Sequence, residues 1–436
     1  MRRLRIVIDA QIPCGGTAGG VEQFIAVLVS GLSKLESDDL DLVIVLPKNS
    51  TQVAGLTFGQ KPDHLRVVPG FVSGPEWFSR TANLLGPLAG PFRPIWRAVR
   101  RRLFGRGPLP TGLIRTTDFF NNLGADVLHI AHQQYVRTTL PTIYTPHDLQ
   151  HEHFPEFFNL ADLANRRAVF RAGCQEAGAV VADSRFVGLD IVERYAIDPS
   201  RVFTVPAATP LVLATIAPHT QQENRRHNIN LPDRFAFYPA QTWPHKNHLG
   251  LLRALALLRD RDGVRLNLVC TGIRNDFFHA VASEVERLHL HDQVHFLGYL
   301  PEEVLKQVYR SALFMVFPSL FEGAGLPVLE AFHLGLPVAC SNVTSLPEYG
   351  GNAALLFDPR DDNAIATAMG RLVKNEALRR DLVELGRARS GLFTAEAMAS
   401  AYRTIYRLAA GLPVGNEERH LLEKTSLEVT PSSQPT

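Results

Sequence analysis

Glu322 and Glu330, with seven residues between them, flank a glycine-bearing turn in the segment 317–340, FPSLFEGAGLPVLEAFHLGLPVAC. The apolar residues ahead of the turn read as a buried strand, and Pro327, with its fixed φ and missing N–H, suits the first position of a helix. Gly323 and Gly325 would let backbone approach a ligand closely. The first helical amides, around Val328 and Leu329, lack acceptors inside the helix and aim at whatever precedes it. An anion fits there, because open α/β sheets bind ligands beyond the carboxyl ends of their strands. With Glu322 in the loop and Glu330 one turn into the helix, two carboxylates can accept hydrogen bonds from different hydroxyls of one extended ligand. A phosphate at the amides with a hydroxyl-rich group to each side describes a nucleotide sugar. The plainer alternative is that Glu330 only offsets the dipole at the helix start.

Lys246 supplies the complementary charge. It lies in 235–248, FAFYPAQTWPHKNH, where a strand opens onto a helix with Asn247 as its cap. A cation there stabilises charge developing on a departing diphosphate. The run CGGTAGGVE at 14–22 is a glycine-rich loop between a strand and a helix, without the spacing of a dinucleotide site. At 145–154, TPHDLQHEHF gathers His147, Asp148, His151, Glu152 and His153 after a strand. Metal ligands must converge, which a loop of unknown path does not imply, so no metal is expected. His147 either faces a ligand or hydrogen-bonds its neighbour Asp148, and His151 and His153 read as packing residues. In ADSRF, Ser184 reads as an N-cap, followed by Arg185.

These residues need a frame that brings strand ends together. Short apolar runs ending in turn residues alternate with helix-period segments, the pattern of parallel strands joined by helical crossovers. Strands are expected at 4–10, 40–46, 126–131, 142–145, 179–182 and 202–205, with helices over 21–35 and 186–195; a second series follows at 235–239, 266–271, 294–297, 313–317, 337–340 and 354–357. Two doubly wound sheets in an α/β fold account for this better than one, and 436 residues exceed the usual reach of a single core. The expected units are 1–209 and 234–392, joined by a polar linker at 210–233, with a helix at 393–412 returning to the first unit and a flexible tail at 413–436.

The balance of 45 Lys+Arg against 43 Asp+Glu gives no global attraction to nucleic acid. Four cysteines lie far apart without a Cys-x-x-Cys pair, which argues against a zinc knuckle or disulfide scaffold and fits a reducing cytoplasm. Asp9 interrupts the first apolar run too early for a secretory signal, and no 18-residue uncharged apolar run could span a bilayer. Segment 77–115 departs from this balance. It holds no acid but carries Arg80, Arg93, Arg97, Arg100, Arg101, Arg102, Arg106 and Arg115 among aromatic and aliphatic residues, with Ile95, Val99 and Leu103 at four-residue spacing. A short helix could lay that face on an anionic membrane; a solvated helix packed on the first unit is the alternative. Nucleic-acid binding is the weakest reading, since no recognition motif accompanies the charge.

Glu322 and Glu330 within PSLFEGAGLPVLEA, followed by GLPVACS and SLPEYGGNAALLFDP, resemble the motifs of glycosyltransferase family 4, a retaining group with the GT-B fold of two Rossmann-like domains facing across a cleft. The similarity runs from about residue 235 to 358, with weaker echoes earlier. It implies that Glu322 meets a donor sugar, that Glu330 meets the nucleotide ribose, and that backbone at Gly323, Gly325 and Leu326 meets sugar and phosphates. It implies a phosphate contact for Lys246. Most relatives carry an arginine five residues before this lysine, where this chain has Gln241; that role would pass to Gln241 as a neutral donor, to His245 or to Arg274. Gly19 and Gly20, ahead of Val21 and Glu22, match a Gly-Gly pair facing the cleft, and Gly15 and Gly16 match it less closely. His147 would lie beside the reacting sugar, and Arg185 would meet the donor phosphate or an acidic acceptor group. No catalytic metal or other cofactor is implied.

The YPAQTWPHKNH stretch is most similar to bacterial mannosyltransferases of surface polysaccharide assembly. That implies GDP-mannose as first donor and a UDP-sugar as second, a saccharide or lipid-linked acceptor as in lipopolysaccharide synthesis, and a cytoplasmic enzyme seated peripherally on the inner face of the membrane. Other activities use the same fold, so a sugar-nucleotide epimerase, a phosphorylase or a non-catalytic nucleotide-sugar sensor are alternatives. If segment 77–115 docks on lipid, replacing Arg100, Arg101 and Arg102 with Ser weakens sedimentation with anionic vesicles; unchanged sedimentation removes that reading.

Overall fold

The computed structural model describes residues 2–12, 19–35, 39–48, 64–70, 116–210 and 231–427. Gly15, Gly16, the basic segment 77–115 and most of the 210–233 linker lie outside them. Among the described residues, two parallel sheets form two doubly wound α/β domains. The first contains β1 (Leu4–Asp9), β2 (Leu40–Leu46), β3 (Leu65–Pro69), β4 (Val127–Ile130), β5 (Thr142–Tyr144), β6 (Ala179–Ala182) and β7 (Val202–Thr204), in the order β3-β2-β1-β4-β5-β6-β7. The second contains β8 (Phe235–Pro239), β9 (Asn267–Thr271), β10 (Val294–Gly298), β11 (Phe314–Phe317), β12 (Val338–Ser341) and β13 (Ala354–Phe357), in the order β10-β9-β8-β11-β12-β13.

Central strands such as VLHI and FMVF are buried at every residue, which fits parallel strands covered by helices on both faces. β3 was not expected. Its sequence LRVVP sits at the sheet edge with a largely uncovered face, so the apolar run that marks central strands is broken by Arg66 and Pro69.

The helices that matter for the site are α1 (Gly20–Lys34), α2 (Leu160–Glu176), α3 (Arg185–Tyr195), α4 (His248–Asp260), α5 (Glu302–Ser311), α6 (Leu326–His333), α7 (Leu346–Gly350), α8 (Ala395–Ala409) and α9 (Asn416–Thr425). Strand order reverses between β1 and β4 in the first sheet and between β8 and β11 in the second. Loops leaving adjacent strands at such a point diverge and open a crevice. The residues beyond β1 and β4, and those beyond β8 and β11, occupy these two positions.

α8 belongs to the first domain's core, although the chain reaches it after completing the second sheet. Met398, Ala399, Tyr402, Ile405 and Tyr406 join the cluster around β1, β2 and α1. On β4, His129 sets its Nδ1 2.8 Å from the Tyr406 hydroxyl and its Nε2 3.0 Å from Thr145 Oγ1. Burial pushes this imidazole down to about 3, so it stays neutral. The segment read as a tail carries α9, whose Leu421 and Leu422 pack on the same core, and Leu427 beyond it is buried against Gly188. Three leucines in an otherwise polar stretch supply enough apolar surface to order it. Residues 428–436 lie outside those described.

Gly31 is where α1 meets α8. A Cβ there would stand 2.9 Å from that of Ala399 and closer still to the Ala395 carbonyl. Gly31→Ala therefore forces the helices apart and is expected to cost about 1–3 kcal/mol, read as a lower urea midpoint with unchanged slope.

Candidate active site

β8 and β11 pair through Ala236 with Phe314 and Phe237 with Met315, which brings the loops beyond them side by side. Leu320 N–H donates to the His245 carbonyl at 2.8 Å, joining the two loops. Asn247 makes the junction rigid. Its backbone is left-handed, with φ of 58°, a conformation that Asn tolerates better than most residues. Its Oδ1 caps α4 by accepting from Gly250 N–H, while its Nδ2 donates to the carbonyls of Pro318 and Pro359 at 3.1 and 2.8 Å. On this platform Lys246 Nζ and Glu322 Oε1 stand 2.6 Å apart, both largely shielded from solvent. The Glu322 backbone is held by Thr344 Oγ1, which accepts from its N–H at 3.1 Å, and by Ser345 Oγ, which donates to its carbonyl at 2.9 Å.

α6 begins at Leu326, with Pro327 in its first turn. Leu329 N–H already donates to the Gly325 carbonyl at 3.0 Å, so it is not one of the free amides. Those of Leu326 and Val328 have no backbone acceptor among the described residues. Glu330 Oε2 accepts from the Tyr309 hydroxyl of α5 at 2.5 Å. Burial pushes the Glu330 carboxyl up to about 7, with the Tyr309 bond opposing the shift only in part.

Gly323 and Gly325 also have a place in the packing. Each has a packing reason before any ligand is considered. A Cβ on Gly323 would lie 2.9 Å from that of Asp148 and nearer still to the His147 carbonyl. A Cβ on Gly325 would lie 2.6 Å from that of Tyr349. Both glycines therefore let protein elements meet.

Gly19 and Gly20 complete the opposite wall. Gly19, at φ of 58°, faces Gln241, whose Nε2 would be 3.8 Å from a Cβ there, and Gly20 faces Leu326 at 3.2 Å. Trp243 Nε1 donates to Gln241 Oε1 at 3.0 Å, which turns the amide NH2 of Gln241 toward Gly19. The other two candidates for that role differ in charge and surroundings. Burial, with the charge of Lys246 beside it, pushes His245 down to about 2, so it is neutral. The Arg274 guanidinium donates to the Phe296 carbonyl at 2.6 Å and lies over the Phe278 ring, at the β10 edge of the sheet.

His147 follows β5 with φ of 70°. Its Nδ1 is 2.8 Å from Asp183 Oδ2 and its Nε2 is 3.1 Å from the Ala131 carbonyl. A carbonyl can only accept and Asp183 offers a carboxylate, so both ring nitrogens carry protons when the ring is charged. Burial opposes that charge, but the Asp183 charge and hydrogen bond outweigh it and raise the His147 pKa. Its partner is not the neighbouring Asp148, which accepts from Gln150 N–H instead. The remaining histidines of the loop diverge: His151 packs on Phe170, and His153 pairs with Asp190 at 2.7 Å. Among the described residues, no group of three His, Cys, Asp or Glu side chains could hold a metal.

Ser184 caps α3 and also donates to the Gly323 carbonyl at 3.0 Å, across the domain boundary. Arg185 gives its backbone N–H to Glu348, while its side chain stays exposed. Sequence reasoning did not single out Asp9, His132, Thr344, Ser345 or Tyr309. Asp9 Oδ2 and His132 Nε2 lie 3.3 Å apart, both buried, at the β1–β4 crevice. A signal for Asp9 and His132 existed, since they, like His147 and Asp183, stand at or just past a strand's carboxyl end.

Residues 18–211 match the family described as Glycosyltransferase Family 4, and residues 219–389 match the one described as Glycosyl transferases group 1. O-antigen chain mannosyltransferase B of Escherichia coli is 37% identical over 174 residues, covering 40% of this chain and 46% of that protein. Serotype-specific mannosyltransferase WbdA of Escherichia coli is 29% identical over 258 residues, covering 58% of this chain and 31% of that protein. The chain thus spans less than half the length of these curated relatives. HepE of Anabaena, solved in complex with UDP and glucose, superposes with a TM-score of 0.63 at 16% identity, covering 94% of this chain and all of that one, which is a likeness of fold.

The raised Glu330 pKa has a consequence for stability. Between the ordinary carboxyl range and about 7 the folded chain holds a proton that the unfolded chain releases, so stability falls as pH rises through that window. Raising the pH from 5 to 7.5 should lower the urea midpoint of the unmodified chain more than that of Glu330→Gln, and equal shifts would show that Glu330 does not carry the proton.

Proposed function

The chain belongs to glycosyltransferase family 4, and from that membership and the geometry of the cleft we propose that it moves a hexosyl group, mannosyl first, from a nucleoside-diphosphate sugar to a saccharide or lipid-linked saccharide. One observation carries this reading. Lys246 and Glu322 meet 2.6 Å apart at the reversal point of the second sheet, between the start of α6 and the Gly19–Gly20 wall. Lys246 and the Leu326 and Val328 amides would hold the diphosphate, Glu322 the sugar hydroxyls and Glu330 the ribose. Gln241 would add a neutral donor where relatives use a cation.

The acceptor oxygen forms a bond to the anomeric carbon as the bond from that carbon to the phosphate oxygen breaks, with the configuration retained. Negative charge grows on the departing diphosphate, where Lys246 stabilises it. Both ring nitrogens of His147 are taken up by Asp183 and Ala131, so the acceptor proton passes to the departing phosphate oxygen on the same face. His147 instead orders the cleft wall through Asp183 and Ala131. No catalytic metal is needed in this scheme, and meeting of the two domains would shield the donor from water.

GDP-mannose is the first donor because the named curated relatives are mannosyltransferases, with a UDP-sugar second. A lipid-linked acceptor gives the basic segment 77–115 a purpose, with the chain working peripherally at the cytoplasmic face of a membrane. No described helix is long and apolar enough to cross one. The epimerase and sensor readings make opposite demands: a free monosaccharide without any acceptor, or tight donor binding without release of diphosphate.

A thermal-shift panel of UDP-, GDP- and ADP-sugars tests the donor, since a bound ligand raises apparent stability with the logarithm of its concentration over Kd. The largest shift is expected with GDP-mannose. The double replacement Glu322→Gln with Glu330→Gln should then lower turnover about 100-fold or more; unchanged turnover and donor affinity would overturn the assignment of both carboxylates.

A further inference from the structure

Between β12 and β13, the short helix α7 carries Glu348 and Tyr349 toward the other domain. The two carboxylate oxygens of Glu348 accept from Arg185 N–H and Phe186 N–H at 2.7 Å each, the first amides of α3. The Tyr349 hydroxyl donates to the Asp183 carbonyl at 2.7 Å and accepts from Ala207 N–H at 3.0 Å. Its ring stacks on Phe393, with centroids 5.2 Å apart and planes 19° apart. Nearby the chain crosses twice between domains, and the crossings are joined where Thr209 N–H donates to the Phe393 carbonyl at 3.0 Å. Arg389 fixes the end of α7 by donating to the Tyr349 and Glu348 carbonyls.

The same helix reaches the donor side. Ser345 holds the Glu322 carbonyl, and Tyr349 fills the space that the missing side chain of Gly325 leaves at the start of α6. In the other direction Tyr349 holds the backbone of Asp183, whose carboxylate holds His147. One dipeptide therefore touches both crossings, the donor loop and the residue behind His147. A carboxylate shared between two helix amides is directional and well matched to the positive end of α3.

We propose that Glu348 and Tyr349 are positioning residues that set the register between the donor loop at 322–326 and the His147–Asp183 pair. This rests on the transferase reading above. Neither residue touches substrate in this proposal; each acts through Gly325, Asp183 or α3. Reaction rates fall steeply when reacting groups are misplaced by about 1 Å, whereas donor affinity depends on second-domain groups that stay in place.

Three full-length variants separate positioning from general stability. Tyr349→Phe keeps the ring and removes both hydroxyl bonds, Glu348→Gln keeps size and one acceptor, and Glu348→Ala removes both. Release of GDP from GDP-mannose is the readout, or of UDP from UDP-glucose if the unmodified chain turns that over instead. Tyr349→Phe and Glu348→Ala should lower kcat about tenfold or more while the donor KM and the Kd for the free diphosphate stay within about twofold, with Glu348→Gln between them and the unmodified chain. Unchanged kcat overturns the proposal, as does an equal loss of kcat and nucleotide affinity. Small-angle scattering gives a readout independent of turnover, and Glu348→Ala should have the larger radius of gyration. If the unmodified chain releases diphosphate from neither donor, the transferase reading fails by itself; the same radius in every variant would then overturn the register claim separately.

Discussion

Three consecutive residues beyond β11 face three ways, and the cleft depends on that divergence. Phe321 is 2% exposed and inserts between His153, Phe154 and Phe186 of the first domain. Glu322 turns to Lys246 within its own domain. Gly323 passes so close to the His147 backbone that no side chain fits, and its carbonyl accepts from Ser184. The aromatic anchor supplies non-directional attraction between domains, and the hydrogen bond fixes the register that attraction alone leaves loose. Glu322 is therefore aimed by contacts on both sides of it.

Much of this frame was legible because parallel strands covered on both faces must be apolar nearly throughout. FAFYP, FMVF and AVVA announce themselves in that way, and the chemically interesting residues follow just beyond such runs. Lys246, Asn247, Ser184 and Glu322 are each positioned by a local strand, loop and helix, so short stretches of sequence sufficed. Partners far along the chain did not show. Nothing near His147 indicates Asp183 rather than Asp148, and nothing near Glu348 indicates α3. The packing role of the glycines at 323 and 325 did not show either, because their chain-distant neighbours, His147 and Tyr349, were invisible. α2 was missed since its apolar residues are scattered around the helix instead of forming one stripe.

Histidines across the fold illustrate how one side chain takes different charge states. His129 is enclosed by hydroxyls and stays neutral because burial has nothing to oppose it. His147 is also buried, but a carboxylate 2.8 Å away reverses the balance. A second buried pair, Asp9 with His132, lies beside it at the reversal point of the first sheet. The carboxyl ends of β1, β4, β5 and β6 thus present two imidazoles flanked by two acids, a polar rim on a sheet whose interior is apolar. Such groups are stable under cover only when each has its partner, which couples the rim into one unit.

The placement of α8 has a bearing on how the molecule is made. The leading sheet emerges from the ribosome some two hundred residues before the helix that seals it, so its apolar surface waits while the trailing sheet, complete in itself, can already consolidate. The first-synthesised half is therefore fully covered only once nearly the whole chain has been made.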